Sequence, residues 1–141
     1  MEAPVSGGGK GGLKGFGDLP HTRARGAAGE LAAEEHLVAR GYRIVARNVL
    51  TKVGELDLVA LDGETLCFIE IKARASSEFG RAVEAVGPAK QRKIIRAALL
   101  FLSKNRSSRA CRFDVLGLDR GGDGAWSFTL VKNAFEVPRG R

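Results

Sequence analysis

Residues 54–73 read GELDLVALDGETLCFIEIKA, and the order of apolar and charged positions in this stretch decides the fold. Two runs rich in strand-forming residues, Gly54 to Leu61 and Thr65 to Ala73, flank Asp62-Gly63, a dipeptide suited to a tight hairpin turn. Side chains alternate along a strand. Glu55, Asp57 and Val59 therefore share one face of the first arm, and Phe68, Glu70 and Lys72 share one face of the second. With Asp62-Gly63 as a two-residue turn, Asp57 lies opposite Phe68 and Glu55 opposite Glu70, which leaves Asp57 diagonal to Glu70. A register moved by two residues brings Asp57 and Glu70 directly opposite without changing the face. The other faces, Leu56/Leu58/Ala60 and Cys67/Ile69/Ile71, are wholly apolar. Three acids and one lysine thus converge between two apolar layers.

Like charges so placed raise one another's pKa and repel unless something positive sits among them. Lys72 offsets only part of the charge. A hard divalent cation such as Mg²⁺ neutralises the rest, since it takes one or two carboxylates and fills its octahedron with water. The plain alternative is an edge hairpin whose charged face is simply solvated, and the spacing D-x(12)-E-x-K argues against it.

Outward from the hairpin, the spacing predicts a helix from His21 or Thr22 to Arg40, stopped by Gly41, then a strand from Tyr42 to Asn48. After the hairpin come a loop with Glu78, Phe79 and Gly80 and a second helix, PAKQRKIIRAALLFLSKN, with Pro88 in its tolerant first turn. Strands Cys111 to Leu118 and Trp126 to Val131 close the chain around DRGGDGA. The expected class is α/β, in the order α-β-β-β-α-β-β, with a mixed central sheet flanked by helices. Residues 1–20 are Gly-rich, basic and without apolar period, and read as a flexible tail. One domain is expected over 21–137, followed by a short basic tail at 138–141. The run GGGKGG lacks the spacing and the preceding strand of a P-loop.

The 141 residues carry 23 Lys and Arg against 16 Asp and Glu, a formal charge of +7 that favours polyanionic partners, nucleic acid first. No apolar run is long enough to span a bilayer, and Met1 to Gly15 has no apolar signal segment, so neither a membrane nor a secreted protein is expected. Cys67 and Cys111, with His21 and His36 far from ligand spacing, make neither a disulfide framework nor a zinc site. A reduced cytoplasmic setting follows as the default.

Charged residues also fall on helix faces that periodicity assigns to the core. In the first helix Ala27, Leu31, Leu37 and Val38 fill one arc, with Glu30 and Glu34 inside it and Glu35, His36 and Arg40 outside. A carboxylate there needs a partner or a cation. For Glu34 the plain alternative is an arginine partner or a loop cap. In the second helix Gln91 falls within the apolar arc of Ile94, Ile95, Ala98, Phe101 and Leu102. Lys90, Arg92, Lys93 and Arg96, with Lys104, form a basic ridge for backbone phosphates, or an ordinary solvated face. Aromatic residues are 6% of the chain and mostly in core positions, which points to duplex or branched substrates over single strands.

Gly54-Glu55-Leu56-Asp57-Leu58 followed by Phe68-Ile69-Glu70-Ile71-Lys72 resembles the PD-(D/E)XK nuclease superfamily, whose fold is restriction-endonuclease-like. More narrowly, the chain resembles the bacterial YraN-like family of uncharacterised proteins regarded as endonucleases. The features are Gly29-Glu30, Gly41-Tyr42, Asn48 to Leu50, G-E-L-D-L, F-I-E-I-K-A-R, Phe79-Gly80, P-A-K-Q and Arg112 to Val115, in order over Arg23 to Val131. E-x-K alone is a weak pattern; the ordered series is strong. The literal proline of the motif is absent, since Leu56 precedes Asp57.

The resemblance implies Asp57 and Glu70 as metal-binding acids, the main-chain carbonyl of Ile71 as a third ligand, and Lys72 as the group that orients or deprotonates the attacking water. Glu30 matches an acid supplied from the first helix, as in Holliday-junction resolvases, which work as dimers. A homodimer is therefore part of the expectation. Glu55 and Gln91 are secondary candidates, and Gln91 corresponds loosely to a helical glutamine of Q-x-x-x-Y, where Ile95 replaces the tyrosine. The expected activity is hydrolysis of DNA phosphodiesters with Mg²⁺ or Mn²⁺. The alternatives are a nucleic-acid-binding module without turnover and an adaptor for an acidic protein.

Overall fold

The computed structural model describes residues 27–74, 86–106 and 108–138. The tail at 1–20, the expected helical residues 21–26, the loop of Glu78 to Gly80 and residues 139–141 lie outside them. The elements are α1 (Ala27–Ala39), β1 (Arg43–Thr51), β2 (Gly54–Asp62), β3 (Thr65–Arg74), α2 (Pro88–Asn105), β4 (Cys111–Arg120) and β5 (Trp126–Phe135), in the order expected from the sequence. The five strands form one sheet in the order β1-β2-β3-β4-β5. Only β3 and β4 run parallel, and the parallel step needs a crossover, which α2 supplies. Among the described residues no helix is long and apolar enough to cross a membrane.

Both sheet faces are covered. On one, α2 packs Ile94, Ile95, Ala98 and Phe101 onto Val59, Phe68, Phe113 and Val115. Phe101 meets Phe68 edge-on at 5.9 Å, and Phe68, Phe113 and Phe135 stack at 5.5 and 5.1 Å, so four of the seven phenylalanines go to this core. On the other, Ala33 and Leu37 of α1 pack with Leu58, Cys67, Ile69, Ile71, Leu116 and Leu118.

The buried face of α1 differs from the expected arc. Leu31 and Val38 are 58% and 54% exposed, while Gly29, Ala33 and Leu37, spaced i, i+4, i+8, meet the sheet. Hydrophobic periodicity weighs Leu above Gly, but close approach weighs size. A Cβ at Gly29 would lie 3.4 Å from the Trp126 ring, so the small residues set the helix against the sheet. At the other end of α1, Gly41 (φ 98°) does serve as the stop. The amides of Tyr42 and Gly41 donate to the carbonyls of Leu37 and Val38, a Schellman closure.

The hairpin register is the one shifted by two residues. Asp62 pairs with Thr65, which makes Gly63-Glu64 the turn, and Gly63 supplies the positive φ (64°) at its first central position. The ladder ends at Leu58↔Ile69. One residue further the Asp57 carboxylate takes over: its Oδ2 accepts the Ile71 N–H at 2.8 Å, so the strands fork around a side chain. The kink breaks the alternation expected of β2, since Leu56 joins the α2 core whereas Leu58 and Ala60 join the α1 core. Across from Asp57, between the pairs Arg47↔Leu58 and Val49↔Leu56, stands Asn48 with φ 51°. Asn tolerates that region. β1 therefore continues to Thr51 where the sequence suggested an end at Asn48.

The opposite end of the sheet is tied by Arg112. Its Nε and Nη2 donate to Asp114 at 2.9 and 3.0 Å, and Nη2 also reaches Asp62 Oδ2 at 3.0 Å and the Tyr42 hydroxyl at 2.9 Å. Asp114 is fully buried and further accepts the Asn133 N–H at 2.9 Å, where β5 bulges away from β4. One guanidinium thus links the α1–β1 connection, β2 and β4. Arg112→Ala, which strands a buried carboxylate, is expected to lose about 3–5 kcal/mol in urea unfolding. Leu31→Ser, on the exposed side of α1, is expected to change stability by less than about 0.5 kcal/mol.

Candidate active site

Strand directions gather the functional candidates at the forked end. The start of β2, the ends of β3 and β4, the start of β5 and the first turns of both helices all lie there. Asp57 comes from β2, Glu70, Ile71 and Lys72 from β3, Glu30 from α1 and Lys90 from α2.

Asp57 is held by the Ile71 amide, a charge-assisted bond that aims the carboxylate across the fork. Glu70 is 6% exposed. Burial first, and then the neighbouring Asp57 charge, push its carboxyl up to about 7, and the Lys90 ammonium offsets only part of this. Lys90 Nζ lies 3.2 Å from Glu70 Oε2. Lys90, expected among the phosphate contacts of the ridge, is exposed like Arg92, Lys93 and Arg96 but turns its ammonium onto Glu70. Lys72 is half-buried and leaves β3 on the same side as Glu70. Ile71 buries its side chain in the α1 core and leaves its main chain at the fork.

Glu30 and Glu34 both face the sheet, as the helix period indicated. Glu34 takes the plain alternative: Arg47 Nε and Nη2 donate to its two oxygens at 2.8 and 2.9 Å. Glu30 instead borders a cavity of about 130 Å³ on the α1 side of the fork, which Asp57 borders too. Glu55 is not opposite Glu70; it pairs with Leu50 of β1. Gln91 is half-buried, but its amide donates to the Val86 carbonyl at 2.8 Å and fastens the first turn of α2. Three residues of this end went unmarked in the sequence reading: Arg47, Asn48 as a cavity residue, and Trp126. A polar Asn inside a strand run was the available signal for Asn48. Trp126 had none, because its place depends on the β4–β5 pairing.

Among the described residues no three carboxylate, imidazole or thiol groups gather as a metal cage. Two adjacent carboxylates, one of them desolvated, fit a hard cation that completes its shell with water and a carbonyl. Asp57, Glu70 and the Ile71 carbonyl would hold it.

The Glu70 shift has a defined sign. Its carboxyl titrates near 4.5 when unfolded and near 7 when folded, so folding binds a proton between those values and stability falls as pH rises through them. In EDTA, Glu70→Gln is expected to match the wild type near pH 4 and to exceed it at pH 8 by roughly 3 kcal/mol. Urea titrations at the two pH values check this; a variant less stable than wild type at pH 8 would refute it.

A family profile described as "Uncharacterised protein family UPF0102" matches residues 29–118. The chain is 48% identical over 117 residues to a UPF0102 protein of Symbiobacterium thermophilum, covering 82% of this chain and 99% of that one. It is 43% identical over 114 residues to one of Ectopseudomonas mendocina, covering 79% and 94%. Among solved structures, SfsA of Pyrococcus furiosus in complex with Ca²⁺ shows a slight likeness, with a TM-score of 0.34 and 15% identity over 77% of this chain. The chain spans 62% of that protein's length. On profile and relatives together, the chain belongs to the uncharacterised protein family UPF0102, the family to which the YraN-like features pointed.

Proposed function

We propose that the protein is a metal-dependent endonuclease hydrolysing DNA phosphodiesters at the forked end of the sheet. The observation that carries this reading is the buried Glu70 carboxyl, raised by its burial and by the neighbouring Asp57 charge, with Lys72 two residues on in β3. Bound Mg²⁺ or Mn²⁺ would lower the pKa of a water and neutralise charge on the phosphate.

The chain's own residues do the rest. The Ile71 amide fixes Asp57, and the closed walls around Glu70 keep its carboxylate from turning to solvent. Lys72 presents its ammonium to the attacking water and to the charge that develops on the phosphoryl oxygens. Arg92, Lys93 and Arg96, exposed in the first three turns of α2, contact backbone phosphates without reading bases. A second reading, a DNA-binding module without turnover, is favoured by one contact, the Lys90 ammonium that already sits on Glu70.

The test is cleavage of labelled linear, nicked and four-way-junction DNA with Mg²⁺, Mn²⁺ or EDTA. Metal-dependent products are expected from the wild type, with a loss of at least about a hundredfold in Asp57→Ala/Lys72→Ala. Equal cleavage by the double variant would refute the assignment. Salt-sensitive binding without cleavage would select the second reading.

A further inference from the structure

The cavity beside Asp57 is larger than the fold requires. At about 130 Å³ it far exceeds the ~10–15 Å³ that a single water needs. Its floor is carbon: Leu58, Ile71 and Leu118 from three neighbouring strands. One wall is Trp126, the chain's single tryptophan, held in place by the Arg120 guanidinium 4.4 Å from the ring centroid. Glu30 and Asp57 stand on the border, together with the Arg47–Glu34 pair, whose charges cancel.

This distribution selects its occupant. Carboxylates on the border turn a phosphate away, and a floor of Leu and Ile offers a charged group nothing. A flat, uncharged heterocycle finds an indole, an apolar floor and carboxylate acceptors for its ring N–H and amino groups. Asp57 belongs both to this cavity and to the acid pair, so whatever enters is covalently close to a phosphate at the fork. We infer that the cavity receives one unstacked nucleobase of the nucleotide next to the phosphate held at Asp57.

This inference rests on the nucleic-acid reading of the site and narrows its substrate class. DNA with an unpaired base at the contact position enters at no cost, whereas an intact duplex must first extrude one, at a few kcal/mol. Bulges, flaps and junction centres are then preferred over continuous duplex. The scarcity of aromatic residues in the sequence argued for duplex or branched DNA, and the cavity keeps only the branched or interrupted part.

The probes are three short DNA duplexes titrated with Ca²⁺ in place of Mg²⁺, so that a hard cation still offsets the acid pair, with uncut DNA verified on the same samples: uninterrupted, with one unpaired cytosine, and with an abasic site at the unpaired position. The unpaired cytosine is expected to bind about tenfold tighter than either of the others and, alone of the three, to change Trp126 emission. Trp126→Ala should erase the tenfold preference while leaving uninterrupted duplex bound through α2. Because that variant also removes a ring packed against the α1-side core, Ala73→Phe serves as the second, since it fills the cavity from an exposed lining position. Its preference should vanish as well. Arg92→Ala/Arg96→Ala should weaken all three probes equally. If the three probes bind alike and emission does not change, the nucleobase pocket is refuted while the nucleic-acid reading stands. If none of the three binds, both are refuted.

Discussion

The hydrogen bond from the Ile71 amide to Asp57 is the constraint on which the rest of this end of the molecule depends. A strand pair normally satisfies its amides with its neighbour's carbonyls, and a buried amide left over is costly. Here a carboxylate takes the place of a carbonyl. The ladder between β2 and β3 can therefore stop at Leu58↔Ile69 without an orphaned donor, and the strands part. The opening leaves the Glu70 carboxylate and the Ile71 main chain beside the Asp57 side chain. It also breaks the alternation of β2, which sends Leu56 to one core and Leu58 to the other.

The scaffold holds that fork from both sides. Covering each sheet face with one helix buries Ile69 and Ile71 below and Phe68 above, so β3 has little freedom at its end. The far end is tied by Arg112 and Asp114, and the bulge of β5 is absorbed by the Asn133 amide on Asp114. The burial that positions Glu70 is also what raises its pKa, so its placement and its demand for a positive partner have one cause. Lys90 meets part of that demand within the chain.

Much of this was legible in the residues. Alternation placed Asp57 and Glu70 on one side of converging arms, with Cys67, Ile69 and Ile71 on the apolar side. Helix spacing turned Glu30 and Glu34 toward the sheet, and Glu34 found its arginine. Gly41 marked the end of α1. Other features were not legible, each for a physical reason. The turn at Gly63-Glu64 rather than Asp62-Gly63 moved the register by two residues, because both placements put a glycine where a positive φ is tolerated. Leu31 and Val38 were misassigned because the contact that positions α1 depends on the small size of Gly29 and Ala33, which hydrophobicity does not weigh.

By itself, the sequence determined the class of the fold, its order of elements, the family and the chemical identity of the acid pair, since these follow from local spacing and residue type. Only the tertiary structure decided which charges meet. The pairing of Lys90 with Glu70, of Arg47 with Glu34 and of Arg112 with Asp62 joins residues on different elements, and no periodicity along a chain encodes a contact between elements. The same holds for the cavity. Its walls come from α1 and all five strands, and its existence is a property of how closely a glycine lets α1 approach Trp126.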